Sequence, residues 1–251
     1  MTRKFTTLAL LFALLPIGTN VQAENYELVI SNGRVMDPET NFDSVANVGI
    51  KGGKIASITT DKLSGARVID ATGHVVAPGF IDLHSHGQEP YAFRLYARDG
   101  VTTPMDLEMG SYPIDEFYAY WEGKAPLNYG TSVSHAFARL QTLDELDAGG
   151  RSIYSGAIEE AFKDGQQWKS KLYDPADVPK IMAAVEAGLM QGGLGIAFPL
   201  GYYTVVGSPE VMAVGSLAKK YNTFATSHVR YLAQIPPSGY LGMEEILAVA
   251  H

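Results

Sequence analysis

The sequence predicts an α/β fold: a (β/α)8 TIM barrel truncated after about five strands, preceded by a small and incomplete β-sandwich module. Three observations predict it. Residues 24–78 hold short apolar segments separated by turn dipeptides. From Gly79 to His251, strand-like apolar segments alternate with stretches of helical apolar spacing. Residues 1–23 differ from both in composition and read as a signal peptide.

Arg3 and Lys4 give the chain a positive start, residues 8–17 form an apolar run, and Val21-Gln22-Ala23 supplies small residues for cleavage after Ala23. That order is the order of a secretory leader, and the run is too short to span a bilayer. The mature protein is therefore expected to be secreted or periplasmic, with no membrane partner once the leader is removed. Hydrophobic residues make up 46% of the chain and charged ones 18%, which suits a packed core and not wholesale disorder. Cleavage takes Arg3 and Lys4 from 19 basic residues and none from 27 acidic ones, moving the net charge from −8 to −10. Such a balance argues against nucleic acid as a partner, because phosphate binding needs a basic surface. The chain has no cysteine, so disulfides, thiolate metal sites and cysteine nucleophiles are excluded. Any metal must rest on His, Asp, Glu or a modified Lys. Oligomeric state is not legible.

In the module, Glu27-Leu28-Val29-Ile30 meets Asn32-Gly33 and continues as Arg34-Val35-Met36, which suits a tight hairpin turn. Val48-Gly49-Ile50 reaches Gly52-Gly53 and returns through Ile55-Ala56-Ser57-Ile58. Val68-Ile69-Asp70 and His74-Val75-Val76-Ala77 bracket a turn at Thr72-Gly73, and Pro78-Gly79 closes the module. In the barrel region, strands are expected at 80–84, 101–107, 131–137, 194–198 and 223–228. Helices are expected at 178–190 and 208–221, with a last one from Met243. Gly192, Gly193 and Gly195 fall at a helix-to-strand junction.

The sharpest chemical signal is Gly79-Phe80-Ile81-Asp82-Leu83-His84-Ser85-His86-Gly87. Side chains two apart on a strand share a face, so Asp82, His84 and His86 point one way and Ile81 and Leu83 the other. At the carboxyl end of a barrel strand, two imidazoles can share one divalent ion at about 2.0–2.1 Å. Asp106 and Glu108 likewise share one strand face. The chain has neither a Gly-x-x-x-x-Gly-Lys-Ser/Thr phosphate loop nor a Gly-x-Ser-x-Gly elbow. His74, in the module, reads as structural, and His251 has nothing after it to define a role.

On the Gly-Phe-Ile-Asp-Leu-His-Ser-His segment, and on the module's Gly33-Arg34-Val35 and Gly52-Gly53-Lys54-Ile55 turns, the sequence resembles the amidohydrolase superfamily. That resemblance implies a first barrel strand ending in a His-x-His metal motif and a β-sandwich built from both chain ends. Thr223-Phe224-Ala225-Thr226-Ser227-His228-Val229-Arg230 is similar to the fifth strand of the D-aminoacylase branch. Leu194-Gly195-Ile196-Ala197-Phe198-Pro199-Leu200-Gly201-Tyr202 is similar to its fourth, and Ser208-Pro209-Glu210 lies between. The likeness implies His228 as a metal ligand. It implies Arg230 as a clamp for a substrate carboxylate, with a structural ion pair as the alternative.

D-aminoacylases carry a metal-binding cysteine near Gly100-Val101-Thr102-Thr103-Pro104-Met105-Asp106-Leu107-Glu108, and this chain does not. Glu108, nearer the strand's carboxyl end than Asp106, is expected to supply an oxygen ligand instead. That departure moves the resemblance toward the N-acyl-D-glutamate deacylase-like relatives. Ser134-His135-Ala136-Phe137-Ala138-Arg139 is similar to the branch's third strand, so His135 is expected to orient substrate or support a ligand, with a core histidine as the alternative. Tyr202 and Tyr203 follow a strand end, and Tyr202 is a candidate pocket residue, with aromatic packing as the alternative.

The resemblance implies one or two divalent ions, zinc first, held by His84, His86, Glu108 and His228. In that superfamily a metal-activated hydroxide attacks an amide carbonyl. The implied substrate is a small N-acyl-D-amino acid of the D-glutamate type. The family's catalytic Asp, from the eighth strand, is expected beyond residue 251. Two other readings stand beside it: a non-catalytic fragment, or a cyclic-amide hydrolase of the dihydroorotase or hydantoinase kind. The latter uses a carboxylated lysine, and no Lys ends an expected strand here.

Overall fold

Asn32-Gly33 does not turn the chain back. In the computed structural model, β1 (Asn25–Asp37) runs straight through it, pairing antiparallel with β2 (Phe42–Lys51) on both sides of a bulge between Ile30 and Gly33. Asn32 adopts a left-handed φ of 62°. Its N–H, turned out of the ladder, donates to Asn47 Oδ1 at 3.0 Å. The hairpin expected there is a bulged single strand, because a side-chain amide replaces the missing ladder bond. The Gly52-Gly53 turn is as expected: both φ angles are positive, 59° and 69°, and β2 returns antiparallel as β3 (Lys54–Thr59).

The segments around Thr72-Gly73, β4 (Ser64–Asp70) and β5 (Val75–Val76), both pair parallel with β1 at successive registers. The sheet order is therefore β3-β2-β1-β4, with β5 also on β1. Among the described residues this is one layer of the expected sandwich, its buried cluster made by Val35, Ala46 and Val48.

The described residues are 25–151, 159, 162–231 and 238–249, so the leader and His251 lie outside them. They fall into two units that divide between Pro78 and Gly79.

The second unit is a five-stranded parallel sheet in chain order: β6 (Phe80–Asp82), β7 (Val101–Ser111), β8 (Gly130–Ser134), β9 (Gly195–Phe198) and β10 (Phe224–Ser227). Helices α1 (Pro90–Arg98), α2 (Ile114–Trp121), α3 (His135–Asp144), α4 (Gln167–Ser170), α5 (Val178–Met190), α6 (Ser208–Lys220) and α7 (Ser238–Val249) lie along the chain between and after these strands. The arrangement is half of a (β/α)8 barrel. Ile181, Val185 and Leu189 recur every four residues on α5, and Val211, Val214, Leu217 and Ala218 do the same service on α6. They pack with Val133, Ile196 and Phe198 from β8 and β9 in one buried cluster. Each Val, Ile, Leu or Phe side chain among them contributes roughly 1.5–3 kcal/mol by leaving water. A prolyl residue in the first turn of α5 and of α6 starts each helix without losing a hydrogen bond.

Two strand ends differ most from expectation. The third strand stops at Ser134, whose hydroxyl accepts a 3.3 Å hydrogen bond from Phe137 N and caps α3. His135 is therefore the first residue of a helix rather than a strand residue. β7 instead runs past residue 107 to Ser111. Near its end Gly110 has φ 74°, and a Cβ there would stand 2.5 Å from Ser132 O. Gly110→Ala is expected to lower stability by roughly 1–3 kcal/mol, since it combines a left-handed backbone with a backbone clash. Urea unfolding checks this, and an unchanged midpoint would show that β7 relaxes around the methyl group.

Candidate metal centre

Regular pairing of β6 ends at Asp82, but the chain stays tied to β7 for four more residues. Leu107 N donates to Leu83 O at 3.4 Å, Ser85 N donates to Met105 O at 3.0 Å, and His84 bridges to Asp106. Asp82 Oδ1 accepts from His84 N at 3.0 Å. Alternation therefore survives beyond the strand. Ser85 turns away and donates to Tyr96 Oη at 2.7 Å, while His84 and His86 converge with their Nε2 atoms 3.1 Å apart.

β7 brings two carboxylates to this pair with different tasks. Asp106 Oδ2 lies 3.1 Å from His86 Nδ1, and its Oδ1 accepts from the N–H groups of Met109 and Gly110, each at 3.1 Å. These contacts fix the His86 ring. Glu108 Oε2 lies 3.3 Å from His86 Nε2 and 3.7 Å from His84 Nε2, while Oε1 lies 3.0 Å from His228 Nδ1 at the end of β10. Both Glu108 oxygens are buried, and neither makes a well-aligned hydrogen bond. His84, His86 and Glu108 each offer a donor atom within 4.8 Å of the others. Two imidazole nitrogens, a carboxylate oxygen and a third imidazole on that carboxylate form a donor set that fits a divalent cation.

The electrostatics run the same way. Hydrogen bonding to Asp106, then to Glu108, raises His86 to about 10 against the opposing effect of burial. Burial pushes Glu108 upward, but the three imidazoles outweigh it and hold the carboxyl below its ordinary value. The centre therefore stabilises positive charge.

The other expected site residues lie elsewhere. His135 is wholly buried, with Nε2 2.9 Å from Glu210 Oε1 and Nδ1 2.9 Å from Tyr203 Oη. Arg139 Nη1 donates to both Glu210 oxygens at 2.6 and 2.7 Å, and its other nitrogens donate to Trp168 O and Lys171 O. Arg139 holds Glu210 ionised, so His135 donates from Nε2 and accepts from the Tyr203 hydroxyl at Nδ1. Both ring nitrogens of His135 are thus engaged inside the core. Arg230 is engaged within the protein. Its Nε and Nη2 donate to Glu245 at 2.6 and 3.1 Å and its Nη1 to Thr204 O at 2.8 Å, so it is a buried structural ion pair. Tyr202 stands beside the centre, its ring centroid 4.6 Å from that of His228. His74 is exposed in the first unit, with Nδ1 3.1 Å from Thr72 O. Asp106, read from sequence as the lesser ligand candidate, orients a ring; its spacing two residues before Glu108 was the available signal.

No family model matches the chain. A dihydroorotase from Streptococcus pneumoniae serotype 4 is 31% identical over 225 residues, covering 89% of this chain and 46% of that protein. An allantoinase from Escherichia coli strain SMS-3-5 is 30% identical over 169 residues, covering 58% and 37%. The chain thus spans less than half the length of these relatives. Among solved structures, N-acyl-D-glutamate deacylase from Bordetella bronchiseptica, complexed with zinc and a phosphonate mimic of the reaction's tetrahedral intermediate, superposes with a TM-score of 0.72. It shares 21% identity and covers 90% of this chain against 49% of its own. D-aminoacylase superposes at 0.68 with 20% identity, 90% and 49% covered, and that enzyme has a binuclear metal centre.

The fold is the amidohydrolase fold over about half of its length, and these relatives are hydrolases of C–N bonds other than peptide bonds. Within that class the structure resembles the D-aminoacylase and N-acyl-D-glutamate deacylase branch.

Arg139→Met is expected to lower stability by about 3–5 kcal/mol, because it strands the Glu210 charge in the core. The pH dependence has a definite sign. Burial depresses His135 below 6.5, and Glu210, pushed up by burial but more strongly down by His135 and Arg139, lies below 4.5. Both groups therefore stabilise the fold above their unfolded values and lose that contribution as the pH falls. Melting temperature should fall from about pH 6.5 downward, and His135→Gln should remove the upper part of that fall. A profile flat between pH 7 and 5 would contradict it.

Proposed function

We propose that the protein takes part in metal-dependent hydrolysis of a C–N amide bond in a small molecule. His84, His86 and Glu108 would hold a divalent ion, and His228 would serve on the second oxygen of Glu108. The observation that carries this is the Glu108 carboxylate, buried without aligned hydrogen bonds and facing three imidazoles from the ends of two other strands. Nitrogen and carboxylate donors of this kind suit zinc. Such an ion supplies Lewis acidity for activating water and polarising an amide carbonyl. The chain's own residues prepare the site. Asp106 accepts from His86 Nδ1 and so turns Nε2 toward the donor cluster, the usual role of a carboxylate behind a metal-binding imidazole. The Asp106 contacts with Met109 N and Gly110 N hold the end of β7 in place beneath it. No proton-transferring base is assigned among the described residues.

For the substrate, the likeness in fold supports an N-acyl-D-amino acid, and the sequence likeness to dihydroorotase and allantoinase supports a cyclic amide. On the same reading residues 1–23 would act as a secretory leader and carry the reaction outside the cytoplasm. Elemental analysis of the purified mature chain tests the centre: near-stoichiometric zinc is expected, lost in a His84→Ala/His86→Ala variant. Absence of metal from both proteins would sink the proposal. Hydrolysis of N-acetyl-D-glutamate and of dihydroorotate by the loaded chain separates the two substrate readings.

A further inference from the structure

The strands that carry the centre are not all neighbours. In the sheet order β10-β9-β8-β7-β6, two strands separate β10, which leads into His228, from β7, which presents Glu108. Ladder pairing joins adjacent strands only, so it does not by itself set the 3.0 Å contact between His228 Nδ1 and Glu108 Oε1.

One side chain links the two strands directly. The Thr226 hydroxyl on β10 donates to Leu107 O on β7. Thr226 stands two residues before His228, and Leu107 immediately precedes Glu108. The bond falls where β7 is irregular, for its register with β8 shifts between Asp106 and Ser111. The Leu107 N–H donates to Leu83 O, the residue before His84, at 3.4 Å. The two backbone polar groups of Leu107 thus tie β7 to β6 beside His84 and to β10 close to His228. Other hydroxyl contacts of β10 reach only its neighbour β9: Ser227 Oγ donates to Phe198 O at 2.8 Å, and Thr226 Oγ1 has a longer approach of 3.4 Å to Ile196 O.

The His228 ring has little room to adjust on its own. A Cβ on Gly201 would stand 2.4 Å from His228 Cδ2 and 3.0 Å from Nε2, so the imidazole lies against that backbone. Gly201 N donates to His228 O at 2.9 Å, and the Tyr202 ring centroid is 4.6 Å from that of His228. With the ring confined on this side, its approach to Glu108 is governed by where β10 sits relative to β7.

We propose that Thr226 is a positioning residue: its hydroxyl, through Leu107 O, sets His228 Nδ1 on Glu108 and so fixes the geometry of the candidate metal centre. For its effect on metal binding the proposal rests on the hydrolytic reading above, whereas the contact it explains belongs to the chain itself.

Two measurements on the full chain test it. The first is zinc affinity, by competition with a chromophoric chelator. Thr226→Val keeps the side chain's shape and removes the donor, and its affinity is expected to fall about tenfold, as when an outer partner of a metal ligand is lost. Thr226→Ser should restore it, and Thr226→Val should cost nothing further in a His228→Ala background. The second is carbethoxylation of the histidines, followed by peptide mass spectrometry. His228 should react several-fold faster in Thr226→Val, with exposed His74 unchanged and buried His135 unreactive. Should valine disturb the fold, His135 would become reactive, and Thr226→Ala then serves in its place. Unchanged labelling of His228 would overturn the proposal. An equal loss of affinity with and without His228 would also overturn it, since Thr226 would then be a general brace of the fold. If the unsubstituted chain takes up no zinc, the hydrolytic reading falls and the labelling alone decides: faster reaction of His228 upholds the positioning role, and no change overturns it.

Discussion

The ion pair between Arg139 and Glu210 joins two helices that approach the sheet from different points in the sequence. Arg139 comes from the second turn of α3 and Glu210 from the first turn of α6, and both are almost wholly buried. A charge pair this deep gains little over an apolar pair of equal volume, yet removal of one member leaves the other stranded. The interaction therefore acts as a registration device. It admits one relative position of α3 and α6, and through His135 and Tyr203 it extends that constraint to the chain just after β9. Arg139 also reaches the carbonyls of Trp168 and Lys171, so the segment around α4 is held by the same guanidinium.

The centre shows a division of labour between two carboxylates on one strand face. Asp106 is engaged by three donors, two of them backbone. Glu108, two residues on, has its oxygens unaligned with any donor and faces three imidazoles. The same carboxylate chemistry on one strand face gives different roles, decided by position along β7 and by what the backbone after Asp106 does. The left-handed Gly110 turns its N–H, with that of Met109, back onto Asp106.

Much of this was legible in the sequence. The four-residue spacing of Ile181, Val185 and Leu189 marked a helix at 178–190, the bounds of α5, and Gly52-Gly53 marked a true hairpin. The alternation of His84 and His86 placed the two rings together even though ladder pairing stops at Asp82. What could not be read depends on partners distant in the chain. The Asn32 bulge needs Asn47, the burial of His135 needs Glu210 seventy-five residues later, and the engagement of Arg230 needs Glu245. Ser134 was misread because a cap and a strand residue look alike until Phe137 N is seen bonded to its hydroxyl.

Each strand of the second unit lies beside the strand that precedes it in the chain. That order has a kinetic meaning. A parallel pair closes over only its own intervening segment, so no strand must wait for a distant partner before finding its place in the sheet. Loop closure is correspondingly inexpensive for a parallel sheet, a class that otherwise folds slowly. Growth can proceed one strand and helix at a time from β6 toward β10. The ring pair at the end of β6 then waits for its carboxylate on β7 and receives its third imidazole last, when β10 docks.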